Sequence, residues 1–401
     1  MLNKLFGRRY AKFDPAIDQL TSDDEKAIDQ ITADIRDYIG KSDTVSKINY
    51  HTRDAHAKGY CALKANFEIL PKLPKEYAQG IYAKPARHEA VIRFSNGSSR
   101  VAADNKLGLS QGLAIKVFGV KGEKLLPDEQ DSPNFDYNLI NFPIFFCNTI
   151  QDYSYISRLF LQLNDYFAKG AKGQAKFAFD WLTQNGTKLP SKESLKTFRA
   201  FSKYKTIKPQ NTLLYSFYSQ GAVRHGDYMA KIRVAPTKAS QAKIKRRDLD
   251  VNATNEAIRP LILQEIREHD YEFDVQIQLC RNLKDQPIND LTKEWDEKDA
   301  PFVTVAKLTI PCQDVPDDGN FDIMEHLSFT PFRCIEANRP IGNLQHARLR
   351  AYQTASTTRH RLNHKKRAEP TNLKQAFDKD FSLHTTKKQK SLLKQRHNSN
   401  F

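Results

Sequence analysis

The chain has 401 residues, a formal net charge of +16, 39% hydrophobic and 27% charged residues. That length can hold one large domain or two ordinary ones around a full core, and no run reaches the roughly 18–20 apolar residues of a membrane span. Five scattered cysteines (Cys61, Cys147, Cys280, Cys312, Cys334) show neither CxxC nor zinc-type Cys/His spacing, so they read as reduced, mostly buried thiols.

The N-terminal stretch MLNKLFGRRYAKFDPAID has basic residues but no apolar run behind them, so no secretory signal is expected and a cytoplasmic location follows. Ser22 and Glu25 read as a capping box, with Ala27, Ile28, Ile31, Ile35 and Ile39 on one face of the helix behind it. From Tyr60 the period drops to two: Cys61, Leu63, Ala65, Phe67 and Ile69 alternate with Lys64, Asn66 and Glu68. Residues 89–95 form a second strand, with Ile92 and Phe94 on one side and Val91, Arg93 and Ser95 on the other. Residues 113–118 continue in β, a loop rich in Asp, Pro and Asn fills 127–138, and Pro143–Phe146 is an apolar run. Residues 153–184 have helical spacing, and a long polar, Lys-rich connection covers 188–208. Three further strands fall at 228–234, 271–279 and 302–310, and residues 343–354 read as a helix.

Six to eight alternating strands with inserted helices predict an α+β protein built on an antiparallel β-barrel. The expected organisation is a helical arm (1–45), a barrel domain (46–362) and a basic tail (363–401) whose charge run reads as solvated. No GxGxxG, Walker A, zinc finger or helix-turn-helix pattern is present, so nucleotide and nucleic-acid binding are not expected.

Four segments stand out: Arg53-Asp54-Ala55-His56-Ala57-Lys58-Gly59, Val91-Ile92-Arg93-Phe94-Ser95, Asn141-Phe142-Pro143 with Phe145 and Phe146, and Arg348-Leu349-Arg350-Ala351-Tyr352 with Arg359-His360-Arg361. Singly, each has an ordinary reading. His56 alone is a hydrogen-bonded histidine, and Arg93 and Ser95 merely share a strand face. Asn141 beside Pro143 is turn chemistry, and Arg348 and Tyr352 are i,i+4 helix neighbours. Together, and in this order, they resemble the catalase family. Gln111–Lys116, Leu291–Trp295 and Pro301–Leu308 extend the likeness.

That resemblance implies haem b, with iron held by the Tyr352 phenolate. A phenol ionises near pH 10, and the Arg348 guanidinium one turn earlier favours the anion. The resemblance makes His56 the distal acid–base residue, has Ser95 orient its ring, and has Asn141 hydrogen-bond the peroxide. Tyr153 takes the place of a haem-stacking phenylalanine. Arg53, Arg93 and Arg361 take the haem propionates. The implied activity is cleavage of the O–O bond of hydrogen peroxide or organic hydroperoxides by a peroxidase or catalase, with an unidentified electron donor and, as expected assembly, a homodimer. Alternatives are a hydroperoxide isomerase or dehydratase of the allene-oxide-synthase type and a non-enzymatic haem-binding protein on the same fold.

The sequence departs from the family in four places. The chain is short. Gln111 stands where the family has Arg. Two extra residues separate Tyr352 from the Arg359-His360-Arg361 triplet. Ala55 stands where catalases carry valine and hydroperoxide-rearranging relatives a hydroxyl residue, which implies a wider distal pocket.

Overall fold

The computed structural model describes residues 10–378 except 366 and 368. Where apolar and polar residues alternate, strands form: β1 (Gly59–Ile69), β2 (Ala86–Asn96), β3 (Gln111–Val117), β4 (Phe135–Ile140), β5 (Phe217–Ser219), β6 (Ala222–His225), β7 (Tyr228–Pro236), β8 (Tyr271–Leu279), β9 (Val303–Ile310) and β10 (Pro340–Ile341). They pair antiparallel in the order β7-β5-β4-β3-β2-β1-β9-β8, and β8 pairs again with β7, closing an eight-stranded barrel; β6 and β10 extend from one end of β7. The antiparallel barrel with added helices is the expected fold class. Closure leaves no open edge, as a barrel of this size requires.

The helices are α1 (Ser22–Gly40), α2 (Ser42–Ser46), α3 (Ile150–Leu161), α4 (Leu163–Ala168), α5 (Gly170–Thr183), α6 (Lys192–Ser202), α7 (Lys238–Lys243), α8 (Ile258–Glu268), α9 (Phe321–His326), α10 (Asn343–Leu362) and α11 (Leu373–Ala376). None is long and apolar enough to cross a membrane.

Several boundaries differ from expectation. The cap of α1 lies one residue earlier than Ser22: Thr21 and Asp24 form the reciprocal box, because Asp24 also reaches back to the Thr21 amide. The loop expected over 127–138 gives way to β4 at Phe135, whose pairing with β3 overrides the weak β propensity of Asp136 and Asn138. The Lys-rich connection contains α6, opened by a capping box between Ser191 and Ser194. The tail does not begin as a solvated run. Pro370 and Ala376 are buried, and Glu369 joins a buried ion network with Lys116, Asp136 and Arg333.

The bore of the barrel is filled. Leu63, Phe67, Ile92, Phe94, Ile115, Tyr137, Phe273, Val275 and Leu308 pack together inside it. Val91 instead packs outward on Ile323 and Met324 of α9, so Arg93 and Ser95, which share its side of β2, face the same outer layer. A second core joins α1 to α10. Ile28, Ile31 and Ile35 pack on Ala347, Ala351 and Ala355, whose small side chains at i, i+4 and i+8 let the two backbones approach.

Candidate active site

His56 sits at the mouth of β1 with φ of 56°, in the left-handed region that side chains enter rarely and histidine more often than most. The chain is pinned on both sides. The Ala57 amide donates to the Ser98 carbonyl, the Asn96 amide to the Lys58 carbonyl, and Arg93 Nη2 to the His56 carbonyl at 2.9 Å. These contacts aim the imidazole across the outer face of β2 and β3. There Nδ1 shares a hydrogen bond with Ser95 Oγ at 3.2 Å.

Register explains the rest. Ser95, Gly112 and Ile140 lie in one row across β2, β3 and β4, and Asn141 follows directly. A Cβ on Gly112 would lie 2.5 Å from His56 Nδ1, 2.6 Å from its Cε1 and 3.0 Å from Ser95 Oγ, so only glycine leaves room for the ring. Gly112→Ala should therefore swing His56 away from Ser95. The expected result is a shift of the His56 ring signals in the NMR spectrum with circular dichroism unchanged; ring signals left at their parent positions would show that the space over Gly112 does not hold the imidazole.

Burial, then the Arg93 guanidinium, push His56 down to about 4, so the imidazole is neutral across the physiological range. On the same segment the Asp54 carboxyl is pushed up by burial to about 6. Asn141 is buried, and its side chain is largely engaged by backbone: Oδ1 accepts from the Gln111 amide at 2.8 Å and Nδ2 donates to the Leu109 carbonyl at 3.0 Å. One amide hydrogen remains for a ligand.

Beside this pocket three arginines crowd one glutamate. Arg53 Nη1 donates to Glu325 Oε1 at 2.8 Å, and its Nη2 donates to the carbonyls of Met324 and Leu327. Arg359 Nη1 donates to the Glu325 carbonyl at 2.6 Å and reaches Oε2 at 3.4 Å. Arg93 and Arg359 are buried, and the Nε of each lacks a partner among the described residues. Burial, and then Arg53, lower both guanidiniums to about 9. Glu325 is held below the ordinary carboxylate range: burial opposes this, and Arg53, Arg359 and Arg93 outweigh it. The cluster carries a net excess of positive charge and two unsatisfied donors in a dry place, which is the chemistry of an anion site.

The third group lies on α10. Arg348 Nη2 donates to the Tyr352 hydroxyl at 3.4 Å, and Nη1 donates to the Gln220 carbonyl and to Gln345 Oε1, both at 2.8 Å. No carboxylate pairs with Arg348 among the described residues, and its charge is felt by His56 and Tyr153 as well as lying against the Tyr352 hydroxyl. A cavity of about 30 Å³ lies beside Arg348 against Gln220, whose amide is buried and unpaired; that space suits water rather than a large ligand. Tyr153 lies between the groups. Its phenol, raised chiefly by burial, feels Asp54 on one side and Arg348 and Tyr352 on the other, and its ring meets Phe145 at 6.0 Å. Arg93 links the His56 pocket to the arginine cluster, and α10 links that cluster to Tyr352.

A family model described as Catalase matches residues 36–399, nine-tenths of the chain. The chain belongs to the catalase family. The fold of this family member is similar to a fungal catalase (16% identity, TM-score 0.59, covering 88% of this chain and 66% of that one). It is also similar to catalase A from Saccharomyces cerevisiae (17%, 0.59, 89% and 70%) and to a bacterial catalase (15%, 0.54, 91% and 65%). The chain thus spans about two thirds of the length of those proteins. No curated protein matches its sequence.

Within this family frame, the structure brings His56, Ser95, Arg93 and Arg53 together, with Asn141 beside them, and sets Arg348 on Tyr352. Arg361 is not among them: it is exposed, whereas Arg359 is buried in the cluster. Helical periodicity is the reason. Arg359 follows Tyr352 by seven residues, two turns, and shares its face; nine residues put Arg361 on the opposite side. Glu325 and Gly112 also escaped the sequence reading, since neither residue type signals a site without its neighbours. On the proposal that this cluster holds haem propionates, Arg359→Leu should lower retained haem at least about tenfold, as loss of a supporting contact around a metal site commonly does, while Arg361→Leu leaves it unchanged. Equal retention by the two variants, read from the Soret-to-protein absorbance ratio, would overturn the assignment of Arg359.

Proposed function

We propose that this catalase-family chain is a haem-b enzyme that cleaves the O–O bond of peroxides and accepts organic hydroperoxides as well as hydrogen peroxide. The observation that carries the reading is the Arg348–Tyr352 contact: a guanidinium with no carboxylate partner among the described residues faces a phenol oxygen, the hard donor that a ferric iron takes in this family. The donor set fits the cofactor elsewhere too. Arg53, Arg93 and Arg359 against Glu325 leave two positive charges uncompensated, matching the two propionates of haem b. Tyr352 would hold the iron, the three arginines the propionates, and Tyr153 would flank the ring.

When bound, haem supplies the redox-active iron at which peroxide oxygen is activated. The chain's own residues do the rest. A neutral His56 takes the proton from the proximal peroxide oxygen and returns it to the leaving oxygen as water or alcohol departs. Ser95 fixes the imidazole tautomer at Nδ1, which leaves Nε2 for the substrate. Asn141 offers its remaining amide hydrogen to the peroxide.

Ala55 sets the substrate range. It is small and exposed beside His56, where a valine would narrow the approach. Ala55→Val should cut kcat/KM for a bulky alkyl hydroperoxide roughly tenfold, about the discrimination of one or two methyl groups, and spare hydrogen peroxide. The proposal as a whole is tested by the absorption spectrum of the purified protein and by product analysis. High-spin ferric bands with a Soret peak, and alcohol formed together with oxidised donor or oxygen, are the expected results. Rearranged epoxide or ketol would instead identify a hydroperoxide isomerase, and a stable haem complex without turnover a binding protein.

A further inference from the structure

Outside the site, the hairpin of α5 and α6 has an outer face that neither the barrel nor the proposed chemistry explains. Its inner face is ordinary core: Phe177 and Trp181 of α5 and Phe198 and Phe201 of α6 pack in one aromatic cluster, with Trp181 stacked on Phe201 at 5.0 Å. Its outer face carries two mixed stripes, one on each helix. On α5, Lys172, Lys176 and Phe179 fall at i, i+4 and i+7; on α6, Lys192, Leu195 and Arg199 fall at i, i+3 and i+7. Each stripe therefore sets one large apolar side chain among cations. The turn between the helices adds Lys188 and Leu189, and Leu189 is 89% exposed.

Among the described residues, four of the six exposed large apolar ones (Phe167 42%, Phe179 54%, Leu189 89%, Leu195 39%) lie in this lobe, and between residues 163 and 208 ten Lys and Arg stand against three Asp and Glu. Lys172, Lys188, Lys192 and Arg199 carry no ion pair among the described residues; Lys176 pairs with Asp180 and Lys196 with Asp290. A merely solvated basic face has no reason to expose Phe and Leu, and a protein-docking patch loses affinity by leaving lysines unpaired. A bilayer interface satisfies both at once: the apolar tips enter the acyl boundary, and the long cationic stems reach anionic headgroups.

We infer that the outer face of the α5–α6 hairpin is a docking surface for an anionic phospholipid bilayer. The hairpin lies in the basic lobe, apart from the residues assigned to peroxide chemistry, so the inference stands whether or not that chemistry does.

The test is flotation of the full chain with phosphatidylglycerol–phosphatidylcholine vesicles and with pure phosphatidylcholine vesicles in 0.1 M salt. Expected are capture by the anionic vesicles only, and loss of roughly tenfold or more of that binding in Lys172→Glu/Lys192→Glu and, separately, in Phe179→Ser/Leu189→Ser. All four positions are exposed, and unchanged circular dichroism certifies the fold. Equal capture by neutral vesicles, or no capture, overturns the proposal. So does wild-type binding by the charge-reversed variant, which would move the binding to the basic C-terminal segment. Binding that depends on the lysines but not on Phe179 and Leu189, shared with a single-stranded RNA probe, overturns it in favour of a purely electrostatic nucleic-acid surface.

Discussion

On the proposed haem reading, replacing His56 by glutamine should lower kcat/KM for hydrogen peroxide roughly 1,000-fold, within the range that general acid–base catalysis supplies, and should leave the Soret band in place. Glutamine keeps a hydrogen-bonding group opposite Ser95 but cannot take up a proton. The pH profile carries a second signature. The folded imidazole takes up a proton only near pH 4, since burial and then Arg93 oppose it, so kcat/KM shows no His56 limb between pH 5 and 9. If a limb near pH 6 is seen, Asp54, whose burial raises its carboxyl to about 6, is the group expected to carry it, and Asp54→Asn should remove it. Stability has the matching sign. Between about pH 6.5 and 4 the unfolded chain binds a proton that folded His56 refuses, so the His56 contribution falls as the pH drops through that window. Turnover of His56→Gln within tenfold of the parent would remove the imidazole from the mechanism.

Tyr352→Phe is the second large effect. It deletes only the hydroxyl that Arg348 faces at 3.4 Å. The ring keeps its place on α10, so the fold should change by only about 1 kcal/mol, the worth of one hydrogen bond. Haem copurifying with the chain should drop at least about tenfold, because the proposed iron ligand disappears and the Arg348 guanidinium is left facing a ring without an oxygen. Arg348→Gln separates ligand from charge: it keeps the phenol, removes the cation facing it at 3.4 Å, and should shift the ferric spectrum while retaining more haem than Tyr352→Phe. An unchanged spectrum in Tyr352→Phe would put the iron ligand elsewhere.

Much of this architecture could be read from residue order alone. Strict alternation at 60–69 and 271–279 locates β1 and β8 because a half-buried strand leaves a period of two whatever surrounds it. The aliphatic stripe of α1 and the Arg348–Tyr352 pair are equally local, since helical spacing alone brings i and i+4 together. The expected end of α10 near residue 354 was wrong for a physical reason. Thr354, Ser356, Thr357 and Thr358 are poor helix formers, and packing of Ala351 and Ala355 on α1 carries the helix through them to Leu362. The continued helix also bears on the third arginine, which the family resemblance puts at Arg361: a two-turn separation from Tyr352 brings Arg359 to its face instead.

What residue order determined by itself is the set of short-range periodicities: which segments are strands, which are helices, and which side chains share a face within one element. What only the tertiary structure decided is which of those faces meet. Barrel closure set Ser95, Gly112 and Ile140 in one row and left a ring-sized gap over the glycine, and the packing of α9 placed Glu325 among three arginines drawn from three distant segments. A local pattern encodes contacts within a few residues. The register of strands far apart in the chain, and the charge balance of a cluster drawn from them, exist only once long-range packing has brought the parts together.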